Sequence, residues 1–217
     1  PLLSGLVGSE MCIRDRSNIK GLPNKDTMWK VKGNSKLSSG NSVTIEWDNK
    51  SGLVFIKKFE LDEKFLFKVT QEIQNKSDAS VELYPYAQIT RNKIPDDIQN
   101  FYISHEGFIG VFDEELKEDD YDDIEEKKIV REANEGWFGI TDKYWITALV
   151  PKKGENFKST YLYKDSFKAN YILNNPTKIN PSSNNSNEVK LFVAAKEVQT
   201  IDSYAEDENI NKFDLVI

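Results

Sequence analysis

Gly136-Trp137-Phe138-Gly139-Ile140-Thr141-Asp142-Lys143-Tyr144-Trp145-Ile146-Thr147-Ala148-Leu149-Val150-Pro151 places two of the chain's four tryptophans inside two short apolar runs. Thr141-Asp142-Lys143 separates the runs, and Pro151 closes the second. Short runs of aromatic and β-branched residues bounded by turn formers predict a buried hairpin. Large aromatics set within apolar strands fill cores, so Trp137 and Trp145 are expected to be structural anchors.

The same pattern spreads outward. Val43, Ile45 and Trp47 alternate with polar residues before the turn Asp48-Asn49-Lys50-Ser51-Gly52. Leu53, Phe55, Phe59 and Leu61 follow with period two, then Phe65, Phe67, Val69 and Ile73, then a second turn at Asn75-Lys76-Ser77-Asp78. Val81, Leu83, Pro85, Ala87 and Ile89 alternate with polar or tyrosine neighbours, and further strands are expected at 107–112, 160–163, 167–173 and 188–194. Recurrent short strands with turns between them predict an all-β fold, a large twisted antiparallel two-sheet sandwich rather than βαβ units. The run Asn180 to Asn187 is expected to be a polar surface loop.

One helix is predicted, at about 195–210. Val198, Ile201, Tyr204 and Ala205 recur at three- and four-residue spacing, which gives a narrow apolar stripe. Such a helix commonly covers a sheet edge.

A net charge of −7 argues against a nucleic-acid partner, because neutralising phosphates takes clustered Lys and Arg. It does not favour adsorption to anionic lipid either. No apolar run approaches the roughly 18 residues of a membrane-spanning helix. The length suits one large domain.

Candidate chemistry is thin. His105 is the sole histidine, so a His/Cys zinc site cannot be assembled and a Ser-His-Asp triad would have one possible base. Glu106 beside it would point to the opposite face of a strand. Asp113 to Glu126 holds ten acids among fourteen residues but lacks the one-three-five spacing and the glycine of a calcium loop. A solvated acidic loop or exposed hairpin is therefore expected. No catalytic residue, cofactor-binding residue or metal ligand is assigned. The Asn-x-Ser sequons at Asn49, Asn75 and Asn184 carry meaning only in a secretory eukaryotic setting.

The wording of the hairpin adds a resemblance. GWFGITDKYWITALVP is similar to the hairpin of the large periplasmic domain in the YidC/Oxa family of bacterial membrane protein insertases. Upstream, Ile103-Ser104-His105-Glu106-Gly107-Phe108-Ile109-Gly110-Val111-Phe112 and Tyr121-Asp122-Asp123-Ile124 resemble a segment of alphaproteobacterial-type members. Downstream, Leu191-Phe192-Val193-Ala194-Ala195-Lys196-Glu197-Val198 resembles the family's strand-to-helix junction, with Ala194-Ala195 where a Gly-Pro pair is common. Phe213-Asp214-Leu215-Val216-Ile217 resembles the phrase that in the family leads into the second transmembrane helix. The likeness runs in order over about 41–217.

Residues 6–16, Leu6 to Arg16, read differently. Back-translated in one frame they match a transposon-type sequencing-library adapter, which would make the sole cysteine, Cys12, foreign to the protein. Residues 1–16 are therefore expected to be an artefactual or disordered tail without core contacts. The remainder divides into a partial β-sandwich at 17–194 and, at 195–217, a connecting helix with a lead-in to a membrane segment beyond this chain.

The resemblance implies a galactose mutarotase-like supersandwich with one C-terminal helix, lying in the periplasm as part of a multi-pass inner-membrane protein. It implies help with the insertion and folding of nascent inner-membrane proteins, with or without Sec translocon components. It also implies no enzymatic activity and no cofactor, since in the family a membrane-embedded core does the insertion. The alternative is a sugar-binding or mutarotase-like sandwich, an analogy of fold alone.

Overall fold

Asn49 and Asp62 build two turns in the same way. The side-chain oxygen of Asn49 accepts the N–H groups of Ser51 and Leu53 at 2.8 and 3.0 Å. That of Asp62 accepts those of Lys64 and Leu66, both at 2.9 Å. Short polar side chains that bond the backbone two residues on reverse the chain and set hairpin register.

The structure, a computed structural model, describes residues 6–14, 21–95 and 105–217, with main chain alone for 6–14. In chain order come β1 (Leu6–Arg14), β2 (Lys30–Lys32), β3 (Val43–Asp48), β4 (Leu53–Leu61), β5 (Leu66–Asn75) and β6 (Val81–Arg91). Then follow β7 (Gly107–Phe112), β8 (Glu115–Asp119), helix α1 (Tyr121–Glu126), β9 (Ile129–Ala133), β10 (Gly136–Thr141) and β11 (Trp145–Pro151). After these are β12 (Phe157–Tyr163), β13 (Phe167–Leu173), β14 (Thr177–Ile179), β15 (Ser183–Ala195), helix α2 (Val198–Asp207) and a 3-10 turn at Phe213–Val216.

The strands form two antiparallel sheets. The larger has nine strands in the order β2-β3-β4-β5-β15-β11-β10-β7-β8. The smaller runs β1-β6-β13-β12-β9, with β14 also paired to β6. The predicted hairpin is β10–β11, in register from Phe138↔Leu149 to Thr141↔Ile146. Its glycines permit close approach: a Cβ on Gly139 would run into the Thr147 carbonyl oxygen, and one on Gly136 into that of Val111.

The inner core lies between the sheets. Phe108, Phe138, Ile140 and Leu149 of the large sheet meet Ala87, Ile89, Phe157, Tyr161, Phe167 and Tyr171 of the small one. Each fully buried large apolar side chain contributes about 1.5–3 kcal/mol. A second cluster covers the outer face of the large sheet. There Ile109, Val111, Trp137, Ile146, Ala148 and Phe192 pack against Ile201 and Tyr204 of α2 and against Ile210, Phe213 and Val216 beyond it. The Trp137 indole N–H donates to the Asn211 carbonyl at 3.1 Å, and its ring meets Phe213 edge-on at 5.3 Å. α2 thus lies across a sheet face.

The structure departs from the sequence-based expectation at four places. The acidic run, expected as a loop or an exposed hairpin, supplies a hairpin arm and then an unexpected helix: β8 pairs with β7 from Phe112↔Glu115 to Phe108↔Asp119, and α1 follows it. Tyr121 and Ile124, three apart, bury one face of that short helix, while its acids stay in water. The Asn180–Asn187 segment is a loop only at its start, since Ser183 begins β15 and pairs with Asn75 of β5. Ladder hydrogen bonds there outweigh the weak strand preference of Asn and Ser. Trp145 is half-buried rather than a core anchor. Finally, Leu6–Arg14 forms strand β1, paired with β6 from Ser9↔Ile89 to Arg14↔Tyr84. An open strand edge presents unpaired N–H and C=O groups that take up extended chain whatever its side chains. Residues 1–5, 15 and 16 lie outside the described residues.

Pro85 sits inside β6 without conflict. β13 pairs with residues 86–91 and β14 with 81–83, so on that side the ladder is already interrupted at the residue that has no N–H.

Candidate functional site

The inner face of the large sheet is left partly open at one end. Phe59 of β4, Phe67 and Val69 of β5, Leu191 and Val193 of β15 and Trp145 of β11 line a groove of about 770 Å³. Phe67 faces Leu191 across one ladder and Trp145 faces Ala195 across another, so alternate residues of adjacent strands supply one continuous apolar wall. Two turns and the start of α2 form the mouth: Glu63, Lys64 and Phe65 on one side, Glu197 and Thr200 on the other. Phe65 is 57% exposed and adopts φ 70°, a conformation costly for a bulky side chain. A concave, apolar wall with a sparse charged rim suits an apolar chain or ring.

Beside the groove lies a cluster of charge. Arg91, on β6, is paired through Nη1 to Asp142 Oδ1 at 2.6 Å, and its guanidinium lies 5.8 Å from the Tyr121 ring. Burial pushes the Lys196 ammonium below the usual lysine range, and the Glu106 and Asp142 carboxylates counter that shift. Burial holds the Tyr121 hydroxyl well above its ordinary range, with Arg91 opposing. A second inter-sheet pair joins Arg131 of β9 to Asp119 of β8 at 2.7 Å, with Arg131 over the Phe112 and Tyr161 rings. Such pairs cost desolvation but lock one sheet against the other.

His105 is half-buried, with Nε2 2.9 Å from the Phe108 carbonyl oxygen and Nδ1 3.7 Å from Asp120. It is not among the residues lining the groove. Among the described residues, no group of three His, Cys, Asp or Glu is placed to hold a metal, and no helix is long and apolar enough to cross a membrane. Sequence reasoning did not find the groove or the charge cluster. The alternation of Leu191 and Val193 was a signal for the groove's wall. Nothing local linked Arg91 to Asp142, 51 residues away.

Comparison with known proteins bears on this arrangement. The fold is similar to that of a galactose mutarotase related enzyme from Lactobacillus acidophilus, with a TM-score of 0.52 and 12% identity over 78% of this chain and 73% of that one. It is also similar to a GH36 alpha-galactosidase from Geobacillus stearothermophilus, with a TM-score of 0.55 and 9% identity over 88% of this chain and 30% of that one. At such identities the likeness is one of fold. A relative in Pelagibacter ubique named membrane protein insertase YidC is 47% identical over 196 residues, 90% of this chain. The chain spans 35% of that relative's length. The family model described as the YidC periplasmic domain matches residues 7–217, and the hairpin, the strand-to-helix junction and the closing Phe213–Ile217 phrase all fall within it. The chain belongs to the YidC periplasmic domain family.

Proposed function

We propose that this chain is a periplasmic binding and spacing module of an inner-membrane insertase that assists nascent membrane proteins, working without catalysis of its own. Its position is passed to the membrane-embedded part through α2 and the segment after it. One observation carries this reading: Ile201, Tyr204, Ile210, Phe213 and Val216 are buried against the outer face of the large sheet. Five buried apolar side chains of that segment make a rigid joint rather than a flexible tether, at about 1.5–3 kcal/mol each. Sec translocon components and emerging inner-membrane proteins are its proposed partners.

The groove supports a second element of the same reading. Its aromatic and aliphatic wall fits an apolar stretch of a client, and Glu63 and Glu197 at the mouth favour basic flanks. The sugar-binding alternative rests on fold likeness alone.

The test uses the full-length protein in a strain depleted of its own insertase. Ile201→Pro, which breaks α2, is compared with Val193→Asp, which places a charge in the groove. An interior proline costs about 3 kcal/mol or more. Ile201→Pro should impair growth and insertion at normal protein levels, and Val193→Asp should do so less. Normal growth of Ile201→Pro alongside failure of Val193→Asp would make client binding the working part and remove the link reading.

A further inference from the structure

The two sides of the groove mouth are joined to each other by hydrogen bonds. Glu63, Lys64 and Phe65 of the β4–β5 turn line one side, and Glu197 and Thr200 at the start of α2 line the other. The Tyr204 hydroxyl donates to Asp62 Oδ2 at 2.5 Å, and the Lys64 ammonium donates to the Ser203 hydroxyl at 2.9 Å. Ser203 in turn donates to the Thr200 carbonyl at 2.8 Å, which brings the chain of contacts back to the groove. α2 depends on such ties. Glu197 makes no side-chain cap bond, the first turn carries no acid, and ten residues are too few for a helix to hold itself. The turn is held in a costly shape. Phe65 lines the groove while 57% exposed at φ 70°, so its left-handed conformation is not offset by packing. An apolar chain in the groove would cover that ring, and it gains this area only while the turn stays where α2 holds it.

We propose that the β4–β5 turn is a clasp through which the groove and α2 sense each other: an apolar segment with a basic flank, seated in the groove, packs on Phe65 and suppresses opening of the Asp62–Tyr204 and Lys64–Ser203 bonds. Occupancy of the groove thereby stiffens α2. The two states are clasp formed and clasp open, and the occupant favours the first because only there do Phe65 and Thr200 face it together. Glu63 and Glu197 at the mouth supply the partners for the basic flank. This rests on the client groove proposed above and adds its regulation: a bound client makes the link rigid, and release loosens it.

The probe is the decyltrimethylammonium ion below its micelle concentration, an apolar chain carrying one positive charge. Calorimetry reads its affinity, and hydrogen exchange reads opening of α2 in the 217-residue chain. In the parent, the probe should slow exchange of the 198–207 amides to a plateau about tenfold below the free protein, within the usual range of coupling. Reciprocity requires that breaking the clasp weaken the probe by the same factor. Tyr204→Phe combined with Lys64→Met should therefore bind about tenfold more weakly, and its α2 amides should respond to the probe by less than about twofold. Phe65→Gly keeps both clasp bonds and relieves the turn, so its loss of coupling cannot come from unfolding. Val193→Asp should abolish binding, which places the probe in the groove. Probe binding that leaves the 198–207 amides of the parent unchanged overturns the clasp and spares the groove. So does a response that persists in both clasp variants, or a slowing that grows without limit and is shared by 157–173, which is general stabilisation by a ligand. Absence of probe binding, or binding that survives Val193→Asp, removes the groove reading and the clasp with it.

Discussion

Tyr204 of α2 donates its hydroxyl hydrogen to Asp62, 2.5 Å away in the turn between β4 and β5. The same aspartate already accepts two backbone N–H groups, so one carboxylate both shapes the turn and holds the helix. Lys64 of that turn adds a bond to Ser203 at 2.9 Å. Hydrogen bonds to charged groups contribute about 1.5–3 kcal/mol. Tyr204→Phe keeps the ring against Phe192 and removes only that bond. The variant should lose stability in that range in denaturant melts, with the slope unchanged.

The two tryptophans of the hairpin should separate sharply. Trp137 is fully buried between the sheet and the 3-10 turn, so Trp137→Ala should cost about 3–5 kcal/mol. Trp145 is half-buried on the groove wall, and Trp145→Ala should cost less than half as much. Equal losses in calorimetry would mean that the groove is closed over Trp145 in solution.

Phe65→Gly should stabilise the protein. A left-handed conformation costs a bulky residue about 1–2 kcal/mol, and glycine's extra freedom in the unfolded chain offsets about 0.5–1 kcal/mol of that. Phe65 is mostly exposed, so little packing is lost. A higher denaturation midpoint, corresponding to a stability gain of about 0.5–1 kcal/mol, is the expected result.

Alkaline titration should reveal the buried phenols. Burial raises the pKa values of Tyr121, Tyr161, Tyr171 and Tyr204 above the ordinary value of about 10, the Asp62 carboxylate adding to the effect at Tyr204. Above that value the unfolded chain releases protons that the folded one retains. Stability from this source is complete below about pH 10 and declines as pH rises further. Tyr121, Tyr161, Tyr171 and Tyr204 should therefore stay protonated until the protein unfolds, as read from phenolate absorbance.

Most of the sandwich was legible because period-two alternation is a local property. Val43 to Asp48, residues 160–163, which the structure extends back to Phe157, and the β10–β11 hairpin each carry their strand signal within a few residues. The stripe Ile201, Tyr204 marked α2 in the same way, and the structure trims it to ten residues. β8 was legible only as one of two options, a loop or an exposed hairpin, because its partners decide it: Leu116 and Asp119 lie among acids, and Asp119 is neutralised by Arg131 from another sheet. The candidate site was hardest to read. Its wall combines strands from three distant parts of the chain, β4–β5, β11 and β15, and its charge cluster draws on five separate segments. Such juxtapositions come from topology, which no window of sequence contains.

The β1–β6 ladder has a practical consequence. If Leu6–Arg14 was never shaped to complement this sheet, then β6 is an adhesive template that reads main chain and ignores side chains. A version beginning at residue 17 would present that template bare, from Tyr84 to Arg91, to every other molecule in the tube. Sedimentation of the shortened chain should then show antiparallel pairs joined along β6, and a lysine at an outward position of that strand should return it to monomers.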